Sequence, residues 1–414
     1  MTAALAIVEN DADGFDAPPL RTGPVRRIRN DTEALAAAEE ISAKLAESAA
    51  SRDRHRLLPY DEIELVSQAG LFAITVPKQY GGAGVSAYTV ARVIAALSAA
   101  DGSIGQIPQN HFFMLEGLRL EGSEEQRRFF YGRVLAGERL GNALSEIGTK
   151  TAHDHATRLT RDGDVYRLNG RKFYSTGVLF AHWVAVVAND DDNRGTIALV
   201  PRDTEGVTII DDWSGFGQRV TGSGTTLLED VEVHPFSVFS FEALFDRPTA
   251  MGPFAQIMHA AVEQGIAEAA LVDTVHFVRA SRPWKYARVE RASDDPYTVA
   301  AVGELKIRVD ASNALLERAG SFVDQAVANP TAETVAAASV AVAEAKIAST
   351  DAALLVASKL IELGGSNATL AKYNLDRHWR NARTHTVHDP IRWKYHTVGD
   401  YWLNGNHPPR HGAI

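Results

Sequence analysis

The segment RNARTHTVHDP, residues 380–390, concentrates side chains that can do chemistry. His385 and His388 are three positions apart, and Asp389 follows them directly. Imidazole can donate or accept a proton near neutral pH, because its ordinary pKa is about 6.5. Residues three apart are neighbours on a helix, so both rings would share one face if the segment is helical. The pattern is compatible with proton transfer, with metal binding or with an ordinary polar surface.

A metal site would use the two imidazoles and the carboxylate of this segment as ligands for a non-haem iron. Adjacent residues diverge by about 100° around a helix, so His388 and Asp389 could converge only if the helix ended there. Pro390 could end it. We do not predict a metal, and a purely structural role for the segment stays open.

The composition of the 414 residues restricts the function further. The chain has no cysteine, so it has no disulfide, no thiolate nucleophile and no cysteine-ligated metal, and any redox chemistry needs a bound cofactor. A formal charge of -10 without long basic runs argues against a nucleic-acid partner. No apolar run approaches the roughly 18 residues of a membrane span. Because the N-terminus also lacks the features of a signal peptide, we expect a cytoplasmic protein.

The hydrophobic patterns predict three structured regions after a mobile leader of residues 1–26. Residues 27–138 show three- and four-residue apolar spacing, which predicts a helical domain whose first helix is capped by Asp31. Residues 139–242 bunch short β-branched runs together, which predicts a separate, barrel-like β domain rather than a Rossmann fold. Residues 243–414 contain three long alanine-rich helical runs, which predict a four-helix-type bundle. The predicted fold class is α+β.

This order of domains resembles the acyl-CoA dehydrogenase fold, and three motifs support the resemblance. NALSE (142–146) resembles the segment before the flavin ring, and LNGRKFYSTG (168–177) resembles the dehydrogenase motif NGxKxWITNG. RNAR (380–383) resembles the RDAR that precedes the catalytic tyrosine–glutamate pair, which places His388 and Asp389 at those two positions. The resemblance implies a flavoprotein with an N-terminal helical, a central β and a C-terminal helical domain.

Four further stretches are similar to the oxygenase branch of this fold, which contains dibenzothiophene monooxygenase and the SfnB-type sulfur-acquisition oxidoreductases. They are IGQIPQNH (104–111), DDWSGFGQRVTGSGT (211–225), RPWKYARVERASDDPYT (282–298) and HWRNARTHTVHDPIRWKYHTVGDYWLNG (378–405). The SfnB-type similarity extends to the terminal PPRHGAI. The resemblance implies a two-component monooxygenase that forms a flavin C4a-hydroperoxide and oxygenates a small organosulfur substrate.

The chain has no convincing nicotinamide-binding unit, so a separate NAD(P)H-dependent flavin reductase would supply reduced FMN, and O2 would be the second substrate. Ile361 stands where the dehydrogenases have a glutamine near the adenine, which favours FMN over FAD. The alternative function is an FAD-dependent acyl-CoA dehydrogenase with Asp389 as base. A flavin-binding homologue without turnover also stays open, because fold does not dictate function. The resemblance further implies a homotetramer.

The resemblance also implies particular site residues. Those of the oxygen-activation pocket are His111, Thr176, His385 and His388, with Asp389 at the base position. Those implied in flavin binding are Asn142, Ala143, Leu144, Ser145, Tyr174, Ser175, Thr176, Trp213, Arg282, Gly364 and Gly365.

Several of these residues have an ordinary structural alternative. Arg282 could bind the flavin phosphate of a neighbouring subunit or form a salt bridge at a helix end. Gly364 and Gly365 could contact the cofactor, end a helix, or do both. Trp213 could cover the flavin or belong to the core. Asn142 could point its amide to the ring or cap a strand end.

Overall fold

A computed structural model describes residues 15, 17–21, 23–151 and 154–414 of the chain. It shows helices, then a mixed sheet, then long helices, which confirms the predicted α+β class. We keep residues 27–138, 139–242 and 243–414 as the proposed limits of the three domains. No helix in the described part is long and apolar enough to cross a membrane.

The N-terminal part is helical, and its first helix begins one residue earlier than predicted. The side chain of Asn30, not Asp31, caps α1 by accepting from the backbone N–H of Glu33. Asp31 instead accepts hydrogen bonds from Ser86 and Thr89, and so ties the start of α1 to the start of α4. The helices are α1 Asp31–Ala46, α2 Ala49–His55, α3 Tyr60–Gln68, α4 Ala87–Ala100, α5 Pro108–Glu121 and α6 Glu124–Leu135.

The leader predicted to be mobile, residues 1–26, lies mostly outside the described residues. Within its described part, the ring of Phe15 lies 5.5 Å from that of Phe129 on α6, edge to face. The backbone N–H of Arg21 donates to Glu138. Both contacts join this segment to the end of the N-terminal helical region.

The central part is one mixed sheet with the strand order β6-β7-β3-β2-β4-β5-β8, and β1 pairs in parallel with β4. β2 and β3 form the hairpin expected around the DGD turn. The alternating inward residues of the strands form a second apolar core, separate from that of the helices. The strands are β1 Leu140–Ala143, β2 Arg158–Asp162, β3 Val165–Lys172, β4 Trp183–Asn189, β5 Gly195–Pro201, β6 Val207–Ile210, β7 Thr225–Val233 and β8 Val238–Ser240.

The C-terminal part consists of long helices, and α4 of the N-terminal part packs beside them. Alanines on the buried face of α10 let it approach α8 closely, as the composition indicated. The tail then folds back, and Ile414 is buried. The helices are α7 Ala243–Asp246, α8 Met251–Ala280, α9 Pro296–Ala328, α10 Ala332–Ala368, α11 Asp376–His385 and α12 Ile391–Asn404.

Candidate active site

The two segments predicted to contact a flavin run side by side at one end of the sheet. The backbone N–H of Asn142 donates to the carbonyl of Thr176 at 3.0 Å, and that of Phe173 donates to Ser145 at 3.0 Å. A buried ion pair joins the same two segments, because the Lys172 ammonium lies 2.6 Å from the Glu146 carboxylate. Residues 142–145 and 174–176 therefore form one continuous backbone surface, hereafter the strand cradle.

Tyr174 is the strained residue of the strand cradle. Its φ of 55° lies in the left-handed region, which a non-glycine residue adopts at a cost of about 1–3 kcal/mol. Its side chain is 48% exposed and meets the half-buried Trp213 edge to face, with ring centroids 6.1 Å apart. Trp213 is thus not plain core, and the two rings form an apolar surface that a planar ligand could cover.

A row of hydroxyl groups leads away from the strand cradle. Thr176 Oγ1 lies 2.7 Å from Ser223 Oγ, which lies 2.7 Å from Thr221 Oγ1. Thr221 in turn donates to the carbonyl of Gln218 at 3.1 Å. Because hydroxyls both donate and accept, this row can reorient protons without a change of charge.

The loop of residues 213–224 joins the strand cradle to α11. The backbone N–H of Gln218 donates to Asn381 Oδ1 at 2.7 Å. Gly217 lies so close to α11 that a Cβ there would sit 1.9 Å from the carbonyl oxygen of Arg380. Only glycine permits this approach. The loop therefore brings the sheet against the helix that carries the RNAR motif.

The residues where the strand cradle meets α11 fit a ligand with polar edges. Within the described residues, Ser175 Oγ and Thr384 Oγ1 are buried without a hydrogen-bond partner. Ser175 belongs to the strand cradle, and Thr384 faces Gly217 from α11. Buried unpaired hydroxyls are costly, and a bound ring system with nitrogen and oxygen atoms would satisfy them. The hydroxyls of Ser175 and Thr384 could bond to the polar edge of an isoalloxazine ring, and Tyr174 and Trp213 could cover its face.

A cleft with a volume of about 550 Å³ opens beside the same loop. Its lining combines the loop with the connection between α10 and α11, and includes Phe216, Thr369 and three arginines. Arg380 is held by Asp53 at 2.6 Å, and Arg54 donates to backbone carbonyls. Within the described part of the chain Arg219 forms no ion pair, so its guanidinium gives the cleft a positive side.

The histidine segment is only partly helical. α11 ends at His385, and the following residues form a turn in which the N–H of His388 donates to the carbonyl of His385. The two histidines therefore do not share a helical face, although their ring centroids are 6.4 Å apart. The helix ends five residues before Pro390, which instead precedes α12.

His385 belongs to a buried network that the sequence analysis did not find. Its Nδ1 lies 2.8 Å from Glu263 Oε1, and its Nε2 lies 3.1 Å from His259 Nδ1. Glu263 also accepts from Thr350 and is paired with Lys346 of α10. His259 and Glu263 are four residues apart on one buried face of α8, and this spacing was the available signal.

His388 lies on the solvent side of this network. Its side chain is 50% exposed, and its ring is tilted by 35° against that of His259 with centroids 4.3 Å apart. Its Nδ1 lies 3.2 Å from Asp389 Oδ2. Asp389 is buried and also accepts from Gln256 Nε2 at 3.0 Å, and the same amide donates to the carbonyl of Gly412. The C-terminal tail thus supports the carboxylate.

Burial and charge determine the protonation of the network. Burial alone would raise the pKa of Glu263, but the charge of Lys346 and the hydrogen bond from His385 lower it to about 2. Burial, together with the charge of Lys346, lowers the pKa of His385 to about 4. Burial also holds the pKa of His259 well below its ordinary value. At neutral pH both rings are neutral and Glu263 is ionised.

The alternative of a metal site concerns a different trio from the predicted one. One donor atom each of His259, His388 and Asp389 lies within 4.8 Å of the others, while His385 points to Glu263. Imidazole binds a metal through a lone pair in the plane of its ring. The rings of His259 and His388 are tilted by 35° against each other with centroids 4.3 Å apart, and Nδ1 of His388 already contacts Asp389. This arrangement fits proton transfer better than a shared ion.

The structure contradicts the prediction that His111 lines the pocket. His111 is fully buried on α5, with Nε2 2.8 Å from the carbonyl of Phe72. Its Nδ1 accepts from the N–H of Leu140 at 3.1 Å. Both nitrogens are occupied by backbone groups, and burial lowers the pKa of the ring to about 4. His111 is a neutral anchor for the start of β1 and presents no hydrogen-bonding atom to a ligand.

Arg282, Gly364 and Gly365 lie away from the histidines of the same chain. Arg282 is exposed beyond the C-terminal end of α8, on the order of 30 Å from His259 at 1.5 Å per residue. Gly365 has φ 65° and ψ -165°, which only glycine adopts readily, and it kinks α10 instead of ending it. A contact of Arg282 with the flavin phosphate of a neighbouring subunit remains a prediction, and so does a contact of Gly364 and Gly365 with the cofactor.

The three parts of the chain match, in order, the domains of one family. Models of the N-terminal, middle and C-terminal domains of acyl-CoA dehydrogenases match residues 31–138, 143–231 and 257–393. The chain therefore belongs to the acyl-CoA dehydrogenase family, and within it to the branch that contains dibenzothiophene monooxygenase.

The narrower placement rests on relatives that match nearly the full length. The chain is 33% identical over 398 residues to dibenzothiophene monooxygenase of Rhodococcus qingshengii, covering 91% of this chain and 95% of that protein. It is 30% identical over 389 residues to the "Probable FMNH2-dependent monooxygenase SfnC" of Pseudomonas putida, covering 91% and 96%. The crystal structure of FMN-bound TdsC from Paenibacillus sp. A11-2 superposes with a TM-score of 0.88 at 31% identity, covering 92% and 100%.

Proposed function

We propose that this protein is a monooxygenase that uses reduced FMN and O2 to oxygenate a small organosulfur compound. The observation that carries the proposal is the pair His388–Asp389 at the end of α11, backed by two neutral buried imidazoles. The relatives that match nearly its full length support the same reaction, since they include a dibenzothiophene monooxygenase and a probable FMNH2-dependent monooxygenase.

Reduced FMN, when bound, supplies the electrons and the carbon that activates O2. We propose that Asn142, Ala143, Leu144 and Ser145 on β1 and its following loop, with Tyr174, Ser175 and Thr176, hold the ring, and that Trp213 covers it. The hydroxyl row from Thr176 to Thr221 offers donors at its edge. His388, half exposed and next to an ionised carboxylate, is placed to hold or move a proton at its Nε2.

The far end of the flavin requires a second subunit in this proposal. We propose that Arg282, Gly364 and Gly365 contact the phosphate side of a neighbour's FMN in a homotetramer. Large apolar side chains are exposed on the C-terminal helices, which supports burial in an assembly. They include Tyr297, Ile307, Trp393, Tyr395, Trp402 and Leu403. Reduced FMN would come from a separate NAD(P)H-dependent reductase.

The alternative, an FAD-dependent acyl-CoA dehydrogenase, is disfavoured by the state of Asp389. Burial alone would raise the pKa of this carboxyl, but His388 beside it holds the pKa well below its usual range. A carboxylate that is buried, paired and hydrogen-bonded to Gln256 is a weak base and cannot swing towards an α-carbon. Asp389 therefore fits a partner of His388 better than a base.

The test is oxygen transfer from isotopically labelled O2. The purified protein, FMN, NAD(P)H and a flavin reductase would be mixed with thioethers, sulfoxides and sulfones, and the products weighed by mass spectrometry. We expect one labelled oxygen atom per product with at least one compound. His388→Asn should abolish the labelling, and the exposed His407→Asn should not. Reduction of bound flavin by an acyl-CoA without oxygen, and no labelled product, would replace this proposal by the dehydrogenase.

A further inference from the structure

Three buried side chains form a hydrogen-bonded row that we name the imidazole relay: Glu263, His385 and His259. It begins on α8, crosses to the end of α11 and returns to α8. Each of the three is almost completely shielded from solvent. The function proposed above mentions these two imidazoles as neutral groups but assigns the handling of the proton to His388 alone.

While Glu263 is ionised and both rings are neutral, the row can be joined in only one pattern of protons. A carboxylate only accepts hydrogen bonds, so Nδ1 of His385 must carry the proton at this contact. A neutral ring protonated at Nδ1 has a lone pair at Nε2, so Nε2 of His385 accepts. Nδ1 of His259 must then be the donor of the 3.1 Å contact. The charge of Glu263 thereby dictates the tautomer of both rings.

Lys346 keeps Glu263 in the required state. Its ammonium is buried against the same Oε1 that His385 contacts, and Thr350 donates to the other oxygen at 2.6 Å. Without this counter-ion, a carboxylate in an apolar bundle would be neutral, and a neutral carboxyl could donate instead of accept. The ion pair thus has a consequence for proton order besides any effect on stability.

The relay has an open end at His259. Its Nε2 carries a lone pair in this tautomer, and it has no hydrogen-bond partner among the described residues. The ring lies 4.3 Å from that of the half-exposed His388. The open acceptor is therefore located where the buried network meets the solvent-accessible side of the candidate site.

We propose that Glu263 and Lys346 are positioning residues that order the protons of His385 and His259, so that His259 accepts a proton at Nε2 beside His388. When His259 takes up a proton, the proton leaves the His388 ring and bonds to His259 Nε2. The resulting His259 imidazolium donates from Nδ1 to His385. Glu263 orients and stabilises the pair without taking the proton, as the buried carboxylate of a serine-protease triad does. The role in turnover rests on the proposed function, while the proton order does not.

The charged and titratable groups that face the relay come from four elements. They are His259 and Glu263 of α8, Lys346 of α10, His385, His388 and Asp389 at and after the end of α11, and Lys394 of α12. Lys346 is the group whose removal changes the charge next to Glu263 without touching either imidazole. It is therefore the second position to change in a test.

The direct test reads the tautomers by nitrogen NMR of the protein labelled in its histidine rings. His259→Asn and His385→Asn assign the two signals. In the native protein at neutral pH we expect both rings protonated at Nδ1 and bare at Nε2. In Glu263→Leu/Lys346→Leu, which loses both charges together, we expect the Nδ1 preference to disappear. The surface pair Asp310→Asn/Lys306→Gln, an exposed ion pair on α9, is the control.

Protonation at Nε2 of either ring in the native protein would overturn the proposal, even if the double variant did not fold. Unchanged tautomers in a folded double variant would overturn it as well. The second readout is the ratio of oxygenated product to hydrogen peroxide across pH, which should fall in the double variant. The NMR measurement needs no flavin or substrate. If the native tautomers are those proposed but no oxygen transfer is found, only the proposed function is refuted.

Discussion

The ring centroids of His259 and His388 lie 4.3 Å apart although one residue belongs to the middle of the bundle and the other to an exposed turn. The contact connects a ring shielded from solvent with a ring that is half exposed. A proton from solvent or substrate can reach His388, and the short distance between the rings would allow His388 to pass it to His259. The chemistry of this chain is therefore expected to depend on residues that no ligand touches.

Replacement of His259 by phenylalanine tests this dependence. Phenylalanine keeps the aromatic contact with His388 but has no lone pair to accept a proton. We expect oxygen transfer to fall about 100-fold, the lower end of the usual contribution of a positioned acid or base. Steady-state product formation measures the change. His276→Phe, an exposed histidine on the same helix, is the matched control. Full activity of His259→Phe would show that its ring only fills space.

Lys346 is predicted to be needed for stability only as long as Glu263 is charged. Lys346→Met leaves a buried carboxylate without its counter-ion, which should lower the free energy of unfolding by about 3–5 kcal/mol. Glu263→Gln/Lys346→Met removes both charges and should recover most of the loss. Urea unfolding of the three proteins gives the comparison. Equal losses in the single and the double variant would contradict the ion-pair explanation.

Acid should destabilise the protein in a defined window. Burial depresses the pKa of His111 and of His385 to about 4, below the unfolded value of 6.5. The unfolded chain therefore binds protons first, and stability present above pH 6.5 is lost as the pH falls towards 4. Each fully buried ring should contribute roughly 3 kcal/mol to the loss. Urea midpoints measured across this range, with and without His111→Gln, give the test. An equal slope in the variant would contradict it.

The approach of Gly217 to α11 gives a prediction for flavin binding. In Gly217→Ala the new methyl group would meet the carbonyl of Arg380, so the loop of residues 213–224 must move away from the helix. We expect weaker FMN binding, measured by equilibrium dialysis, and a lower unfolding temperature. Gly303→Ala in the exposed interior of α9, where a Cβ meets nothing within 4 Å, should instead stabilise the protein by about 1 kcal/mol. Unchanged FMN affinity in Gly217→Ala would remove the loop from the proposed site.

Local sequence patterns were sufficient to predict which segments form helices and which form strands. Apolar spacing and alanine content predicted α8, α9 and α10, and bunched β-branched runs predicted the sheet, because these signals act between near neighbours. The motifs NALSE and FYSTG were also expected together, and the hydrogen bonds from Asn142 to Thr176 and from Phe173 to Ser145 join them. The predicted cap of the first helix was wrong by one residue. Asn30 and Asp31 can both cap a helix, but Asp31 is engaged by hydrogen bonds at the start of α4 and leaves the cap to Asn30.

The order of the elements, the family resemblance and the chemistry available in RNARTHTVHDP can all be read from the amino-acid sequence. Tertiary structure decided which histidines act together. His111 and His259 look alike in the sequence, yet packing encloses the first between two backbone groups and leaves the second with an open nitrogen. Glu263, Lys346 and His385 come from three different helices, α8, α10 and α11. The burial that shifts their pKa values exists only once those helices exclude water.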